Sequence, residues 1–264
     1  MIDLHCHLLP GVDDGAEDLE ESLAMARLAV ADGIRSIVVT PHFLNGVYHH
    51  SPVELRERFL RLKESLAGQG LALSLYPGAD IHLAPGLFRD LKGPELPSIN
   101  NHRYLLLELP SFALPSALHD TLFQIRTKGF TPIITHPERN GSIQKHPDQL
   151  IEMKRFGALA QVTAMSLTGG FGKKVSDCAA VLLEKGLVQV MASDAQSPKG
   201  RPPILSAGLK AAADLIGRDA ALRLVTVHPE RILAGEPWPE EELISPGNEH
   251  SRNKKPSFYS RFFH

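Results

Sequence analysis

Two histidines, separated by a single residue, lie near the start of the chain in the sequence MIDLHCH. Side chains two residues apart in a β-strand point to the same side, so His5 and His7 would lie next to each other. Two adjacent imidazoles suit a divalent metal ion, because neutral histidine is a common metal ligand. These residues alone leave two interpretations open: part of a metal site, or two solvated histidines on a half-exposed strand.

Further polar residues with metal-binding or anion-binding side chains follow short apolar runs along the chain. In chain order they are Asp13, Asp14, His42, Asp80, His82, Glu108, His136, Glu138, Arg139, Asp194 and Gln196. A single aspartate after a strand is usually a helix cap, and a single histidine is usually an ordinary polar residue. Nearly every apolar run ends in such a residue, however, and the whole pattern predicts one shared site.

The elements that must position these residues can be predicted from hydrophobic periodicity. Seven strand-like runs cover residues 1–6, 36–40, 71–77, 104–109, 131–135, 158–163 and 187–193. Helical patterns lie between them, at 19–30, 53–67, 115–128, 147–156, 173–185 and 204–216. Alternating strands and helices predict an α/β fold with a parallel sheet, and the continuous apolar character of the strands predicts cover on both faces. A closed or nearly closed barrel is the simplest such arrangement.

In a parallel barrel, the carboxyl ends of all strands meet at one face. Several carboxylates and four histidines would then share one cavity, where like charges repel strongly. Divalent cations remove this conflict, and mixed histidine and carboxylate ligands suit zinc, manganese or iron. The sequence therefore predicts a site for more than one metal ion.

The overall composition excludes several other classes of protein. The 264 residues, 43% hydrophobic and 22% charged, are typical of a soluble globular protein. A formal net charge of −2 gives no electrostatic basis for binding nucleic acid. No apolar run is long enough for a transmembrane segment, and the first residues lack the pattern of a signal peptide. Two cysteines do not suggest a disulfide framework, so we expect a cytoplasmic protein.

A set of motifs in fixed order carries a resemblance to a known family. The motifs are HxH, DDG, TPH, PGAD, LLLELP, THPER, SDA followed by RPP, and HPERILAG. Together they resemble the polymerase and histidinol phosphatase (PHP) superfamily, and in particular its bacterial manganese-dependent tyrosine-protein phosphatases of capsule and exopolysaccharide synthesis. The resemblance covers residues 1–236, which we predict to form one domain. Residues 237–264 are rich in proline, serine and charge, which predicts a disordered tail.

The resemblance implies a distorted, seven-stranded β/α barrel of the PHP type with a trinuclear metal centre. The implied ligands are His5, His7 and Asp194 for the first metal, Asp80 as the bridge to the second, Glu108 and His136 for the second, and Asp14 and His42 for the third. Arg139 and Arg201 match phosphate-binding arginines of the family. His42 is also a candidate proton donor to the leaving group.

Two positions depart from the family pattern. The bridging acid is normally glutamate, and here it is Asp80, which reaches one methylene less far. Gln196 stands where the family has a histidine ligand of the third metal, and an amide is a poor substitute for imidazole. We therefore predict a weak third site and two to three divalent ions per chain, manganese first, with iron or zinc as alternatives.

The resemblance implies hydrolysis of phosphotyrosine in the tail of a bacterial tyrosine kinase. The residues themselves leave open a small-molecule phosphatase, such as one for histidinol phosphate, and a weakly catalytic regulator that binds phosphopeptides. A homo-oligomer is also left open. A cysteine-based phosphatase is excluded, because the residues six positions after Cys6 and Cys178 are Val12 and Glu184 rather than arginine.

Overall fold

The computed structural model describes residues 1–83 and 96–239. Within these ranges the strands are β1 (Ile2–Cys6), β2 (Ser36–Val39), β3 (His42–Phe43), β4 (Ser74–Pro77), β5 (Asp80–His82), β6 (Tyr104–Glu108), β7 (Thr131–Thr135), β8 (Leu159–Thr163) and β9 (Val190–Ala192). The α-helices are α1 (Leu19–Ala31), α2 (Pro52–Ala67), α3 (Leu118–Thr127), α4 (Gly141–Lys145), α5 (Gln149–Arg155), α6 (Ala164–Leu167), α7 (Lys173–Glu184), α8 (Ser206–Ile216), α9 (Arg218–Arg223) and α10 (Val227–Ala234). Short 3₁₀ turns cover Ile99–Asn101 and Pro137–Arg139.

All strand pairs in these ranges are parallel. They form two sheets, with orders β1-β2-β4 and β3-β5-β6-β7-β8-β9. The chain passes from the first sheet to the second within two residues, both between β2 and β3 and between β4 and β5. At the other edge, Cys6 forms a parallel bridge with Ala195, which follows β9. The predicted α/β class with parallel sheets is confirmed; the strand count and closure of the barrel stay predictions.

Each of the seven predicted strands and six predicted helices corresponds to an observed element, with ends that differ by a few residues. The helix starts follow from local chemistry: the Asp18 side chain accepts a hydrogen bond from the Glu21 N–H before α1, and Ser51 caps α2 with Pro52 at its first position. No helix in the described ranges is long and apolar enough to cross a membrane. The predicted tail lies outside the described residues from position 240 onward.

The buried apolar residues form two clusters. The larger one packs the helices against the sheets and includes Cys6, which lies between His5 and His7 at the end of β1. We call the smaller one the inner cluster; it contains Leu4, Val38, Ile99, Tyr104, Leu106, Ile133, Leu159, Val190, Ile232, Leu233 and Trp238. Most strands contribute to it, and α10 and Trp238 close it at one end.

The inner cluster forms the apolar support of the polar strand ends. Residues two apart in a strand share a face, so Leu106 shares its face with Glu108, and Leu159 shares its face with Gln161. The same spacing relates Ile133 to Thr135. Along each of these strands, one face therefore changes from apolar to polar towards the carboxyl end.

Candidate metal centre

His5 on β1 and His7, which directly follows β1, lie side by side, as their spacing predicts. Their Nε2 atoms are 3.1 Å apart, and both side chains are buried. Asp194 Oδ1 lies 3.5 Å from His5 Nε2 and 3.4 Å from His7 Nε2. Asp80 Oδ2 lies 3.6 Å from His5 Nε2. One donor atom from each of His5, His7 and Asp80 falls within 4.8 Å of the others, close enough to share one cation.

A second group of donors surrounds the same aspartate. His42 Nδ1 is 3.7 Å from Asp80 Oδ2 and 3.7 Å from Glu108 Oε2. His136 Nε2 is 3.7 Å from Glu108 Oε1 and 4.0 Å from Asp80 Oδ2. His82, which follows Asp80 on β5, lies 3.3 Å from Glu108 through its Nδ1. Asp80 is thus shared by the first and second groups, despite its shorter side chain.

A third group contains His7, Asp14 and His42. His42 Nε2 lies 3.3 Å from Asp14 Oδ1. Gln196 donates a hydrogen bond from Nε2 to Asp14 Oδ2 at 2.8 Å. The structure therefore brings all nine predicted ligands together, while their roles as ligands stay a prediction.

The electrostatics of these groups fit divalent cations. The buried Asp80 Oδ2 and His42 Nδ1 atoms have no hydrogen-bond partner among the described residues. Burial, and then the charge of Glu108, raises the pKa of Asp80 to about 7. Burial lowers the pKa of His5 to about 4, which keeps its imidazole in the neutral form that binds metals. A cation between these atoms would bind the two unpaired atoms, Asp80 Oδ2 and His42 Nδ1, and would offset the repulsion between the neighbouring carboxylates.

Two residues orient the histidine pair. The Nδ1 atom of His5 lies 2.9 Å from Gln161 Oε1, and that of His7 lies 2.8 Å from Asp13 Oδ2. Both contacts leave Nε2 free to face the centre, an arrangement common behind metal-binding histidines. The sequence prediction did not identify Gln161; its signal was a polar residue inside the apolar run ALAQVT.

The turn DDG packs directly on β1. Asp13 Oδ1 accepts the Gly15 N–H at 2.9 Å, and Asp13 Oδ2 accepts the His42 N–H at 2.8 Å. A Cβ atom on Gly15 would lie only 2.2 Å from the His7 carbonyl oxygen and 2.6 Å from the His7 Cβ. Only glycine fits this position without moving the backbone that carries the histidine.

Two predicted ligands stand where the chain turns sharply after a strand. His136 follows β7 with φ of 34°, and Asp194 lies just after β9 with φ of 50°. A left-handed backbone costs a non-glycine residue about 1 kcal/mol, and such conformations concentrate at functional sites. Glu138, in contrast, has a structural role, because its buried carboxylate accepts hydrogen bonds from Thr163 N and Ser166 Oγ at 2.9 and 2.6 Å.

Two arginines meet at Asp194. Arg139 and Arg201 both donate to Asp194 Oδ2, the oxygen that does not face the histidine pair. Burial opposes ionisation of Asp194, but the charges of Arg139 and then His5 outweigh it and hold its pKa well below the usual value. The ring of Phe171 lies 4.9 Å from the Arg139 guanidinium carbon and 5.3 Å from that of Arg201. This aromatic support, from the stretch TGGFG, was also absent from the sequence prediction.

A cavity of about 140 Å³ opens beside the second donor group. Its lining residues are Glu108, Leu109, Ser111, Thr135, His136, Arg139 and Asn140. It thus joins two predicted metal ligands to one of the two arginines. A small anionic group bound there would contact both.

This arrangement can be compared with known proteins. The model of the family described as capsular polysaccharide synthesis, CpsB/CapC, matches residues 1–234. The chain belongs to the CpsB/CapC family. The match covers every strand and helix described above.

Members of the CpsB/CapC family with similar sequences carry phosphatase names. Tyrosine-protein phosphatase YwqE of Bacillus subtilis is 40% identical over 201 residues, which is 76% of this chain and 79% of YwqE. Tyrosine-protein phosphatase CpsB of Streptococcus pneumoniae is 30% identical over 238 residues, which is 88% of this chain and 98% of CpsB.

A solved structure supports the likeness in three dimensions. It comes from work on the crystal structures of YwqE from Bacillus subtilis and CpsB from Streptococcus pneumoniae, described there as unique metal-dependent tyrosine phosphatases. The TM-score is 0.85 at 36% sequence identity, over 90% of this chain and 96% of that chain.

Proposed function

We propose that this protein is a metal-dependent protein-tyrosine phosphatase that acts on a bacterial tyrosine kinase of capsular or exopolysaccharide synthesis. The observation that carries the proposal is the set of three overlapping donor groups, two of which share Asp80, next to two arginines on Asp194. The names of the relatives support phosphotyrosine as the substrate. The family description supports the link to capsular polysaccharide.

The residues that would hold metal ions form three sets. They are His5, His7, Asp80 and Asp194 for the first, Asp80, Glu108 and His136 for the second, and Asp14, His42 and Gln196 for the third. When bound, divalent ions supply an acidified water as nucleophile and offset the charge of the phosphoryl group. We propose manganese as the resident metal, with iron and zinc as alternatives, because the donor set mixes imidazole and carboxylate.

The arginines would bind the phosphoryl oxygens. Each uses one terminal nitrogen on Asp194, which fixes the guanidinium plane and leaves further N–H groups for an anion. The buried Nε atoms of Arg139 and Arg201 have no hydrogen-bond partner among the described residues. Phe171 lies against both guanidinium groups, and this contact reduces the conformational freedom that phosphate binding must restrict.

His42 would return a proton to the leaving phenolate. Burial lowers its pKa, but the hydrogen bond with Asp14, together with the charges of Asp80 and Glu108, outweighs burial and raises the pKa above the usual value. The protonated ring is the form that can donate. Because Gln196 presents an N–H rather than an oxygen to Asp14, the third site has few ligands, and His42 would act as the proton donor when that site holds no ion.

The weak third site has a direct test in metal analysis. Protein purified with manganese and then dialysed against buffer should retain two ions per chain, and the third should appear only at high metal or with phosphate present. Three ions that survive dialysis would contradict a weak third site.

We further propose that the strands form a distorted seven-stranded barrel and that the protein is cytoplasmic. Sedimentation analysis would determine its oligomeric state.

A substrate panel tests the main proposal. Manganese-loaded protein is assayed with a phosphotyrosine peptide, the same peptide carrying phosphoserine, and histidinol phosphate. We expect turnover of the phosphotyrosine peptide at the highest kcat/KM, its loss with a chelator, and its recovery with added manganese. Preference for histidinol phosphate would instead identify a small-molecule phosphatase. Phosphopeptide binding without turnover would identify a regulator.

A further inference from the structure

The most exposed large apolar side chain in residues 1–83 and 96–239 lies next to the cavity described above. Phe112 has 90% of its surface exposed, and Val47 follows with 70%. Phe112 comes directly after Ser111, which lines the cavity together with Arg139 and His136. A phenylalanine in this position exposes a large apolar area to water directly beside a cavity that holds an arginine, and aromatic side chains contribute strongly to binding interfaces.

The backbone beneath Phe112 is tied to the residues that follow Arg139. Ser111 accepts the Gly141 N–H at 2.9 Å, and Pro110 accepts a hydrogen bond from the Asn140 side chain at 2.7 Å. A Cβ atom on Gly141 would lie 3.7 Å from the Phe112 Cα, so the two segments are in direct contact. Phe112 is therefore held at a defined distance from the arginine, although its ring is free in solvent.

The size of the cavity limits what enters it. Sites that enclose a whole small-molecule ligand usually measure about 300–1,000 Å³, whereas this cavity measures about 140 Å³. It admits one phosphorylated side chain rather than a length of peptide. The rest of a polypeptide substrate must then lie on the surface around the mouth, and Phe112 directly follows Ser111, which lines the cavity.

We propose that Phe112 is a substrate-specificity residue that contacts an apolar side chain next to the phosphotyrosine of a polypeptide substrate. This inference rests on the proposed phosphatase function and adds a preference for substrate sequence. The phosphate on the arginines fixes the peptide, and the ring of Phe112 then covers an apolar neighbour and removes both from water. Substrates without a peptide chain do not reach Phe112.

The test uses three substrates of the manganese-loaded, full-length protein. They are a phosphotyrosine peptide with leucine on both sides of the phosphotyrosine, the same peptide with glycine at those positions, and p-nitrophenyl phosphate. For Phe112→Ala we expect kcat/KM for the leucine peptide to fall about tenfold through KM, as for loss of one anchor side chain. Turnover of p-nitrophenyl phosphate should stay within about twofold of wild type, and Phe112→Tyr should restore the leucine peptide.

A matched control is Phe123→Ala on α3, since Phe123 is also exposed, at 61%, but neither of its chain neighbours lines the cavity. It should leave all three substrates unchanged. Equal losses for the peptide and p-nitrophenyl phosphate in Phe112→Ala, or no loss for either, would overturn the proposal. A change in sedimentation of Phe112→Ala, with unchanged peptide kinetics, would assign Phe112 to a contact between copies of the chain instead.

Failure of the phosphatase function would look different. In that case wild-type protein would turn over none of the three substrates. The role of Phe112 would then be decided by fluorescence anisotropy with labelled phosphopeptides, in which weaker binding of the leucine peptide by Phe112→Ala supports the proposal and equal binding by all variants overturns it.

Discussion

The two ends of the same strands differ sharply in what they bury. At one end, Leu106, Ile133 and Leu159 meet in the inner cluster, and at the other end Glu108, Thr135 and Gln161 follow on the same faces. The first set gains free energy when water leaves, at about 25 cal/mol per Å² of apolar surface. The second set loses hydration, and part of it stays unpaired. The apolar end stabilises the fold, and the folded structure then holds the polar end in place.

The residues that stabilise the fold and the residues that we assign to activity are therefore only two positions apart along each strand. It implies that substitutions in the inner cluster and at the polar end should have nearly opposite effects. The former should unfold the protein without changing the chemistry of the folded fraction. The latter should remove activity and leave the fold intact or more stable. Four predictions follow that comparison from the largest expected effect to the smallest.

Asp194→Asn should cause the largest loss, a fall in kcat/KM for phosphotyrosine peptide of about a thousandfold. It removes a carboxylate that faces both the histidine pair and the two arginines. Asparagine tolerates the left-handed backbone at this position, so the fold should persist. Steady-state kinetics and circular dichroism measure both effects. Unchanged kinetics would exclude Asp194 from the metal centre.

Leu106→Ala should produce the opposite result. It removes a fully buried side chain from the inner cluster and should lower the free energy of unfolding by about 3 kcal/mol in urea titrations. Manganese affinity and kcat of the folded protein should stay within about twofold. The exposed Leu60 gives a control, since Leu60→Ala on α2 should cost less than about 0.5 kcal/mol. Loss of metal affinity in Leu106→Ala would contradict the separation of roles between the inner cluster and the polar strand ends.

Asp80→Asn should stabilise the metal-free protein while it abolishes activity. Its carboxyl has a pKa of about 7 in the folded protein, raised by burial and then by Glu108. As pH falls from about 7 to about 4, the folded protein takes up this proton before the unfolded chain does, so the cost of the buried charge disappears at acidic pH. The gain in unfolding free energy should therefore be largest at pH 8, on the order of a few kcal/mol, should shrink as the pH falls below about 7, and should approach zero only near pH 4.

Urea unfolding of chelator-treated protein across this pH range measures the gain from Asp80→Asn. The matched control is Asp214→Asn, an exposed position on α8, which should change the unfolding free energy by less than about 0.5 kcal/mol. A gain that grew towards acidic pH would contradict the assignment of a buried, crowded carboxylate to Asp80.

Gln196→His should have the smallest effect and should strengthen metal binding at the polar end. An imidazole beside Asp14 and His42 adds a neutral ligand where an amide N–H now faces the carboxylate. Isothermal titration should show the weakest manganese site strengthened about tenfold. Gln196→Ala should show no such gain, and equal metal binding by both variants would place Gln196 outside the centre.

The strands and the polar residues at their ends could be predicted because both depend on local patterns. Apolar runs of five to seven residues identify the strands, and parallel pairing brings residues such as Asp80 and Glu108 to one face. The short β3 and β5 were not predicted, since two or three residues carry no periodicity. Their presence reflects the pairing of His42 with Asp80 rather than any propensity of their own.

The support behind the site was harder to predict because it depends on tertiary contacts. Gln161 lies 156 residues from the histidine it orients, and only its polarity in an apolar strand indicated a role. Phe171 joins two arginines on different loops, and no sequence pattern pairs a ring with distant guanidinium groups. The exposure of Phe112 likewise depends on how the chain folds around it.

The contact between Gly15 and His7 can be used to assess the sequences of homologous proteins. Since a side chain there would overlap the backbone of His7, the residue after the paired aspartates works as a one-letter diagnostic. A homologous chain that keeps the histidine pair but has any larger residue at this position must rebuild the turn, and its catalytic competence should be doubted before any assay is run.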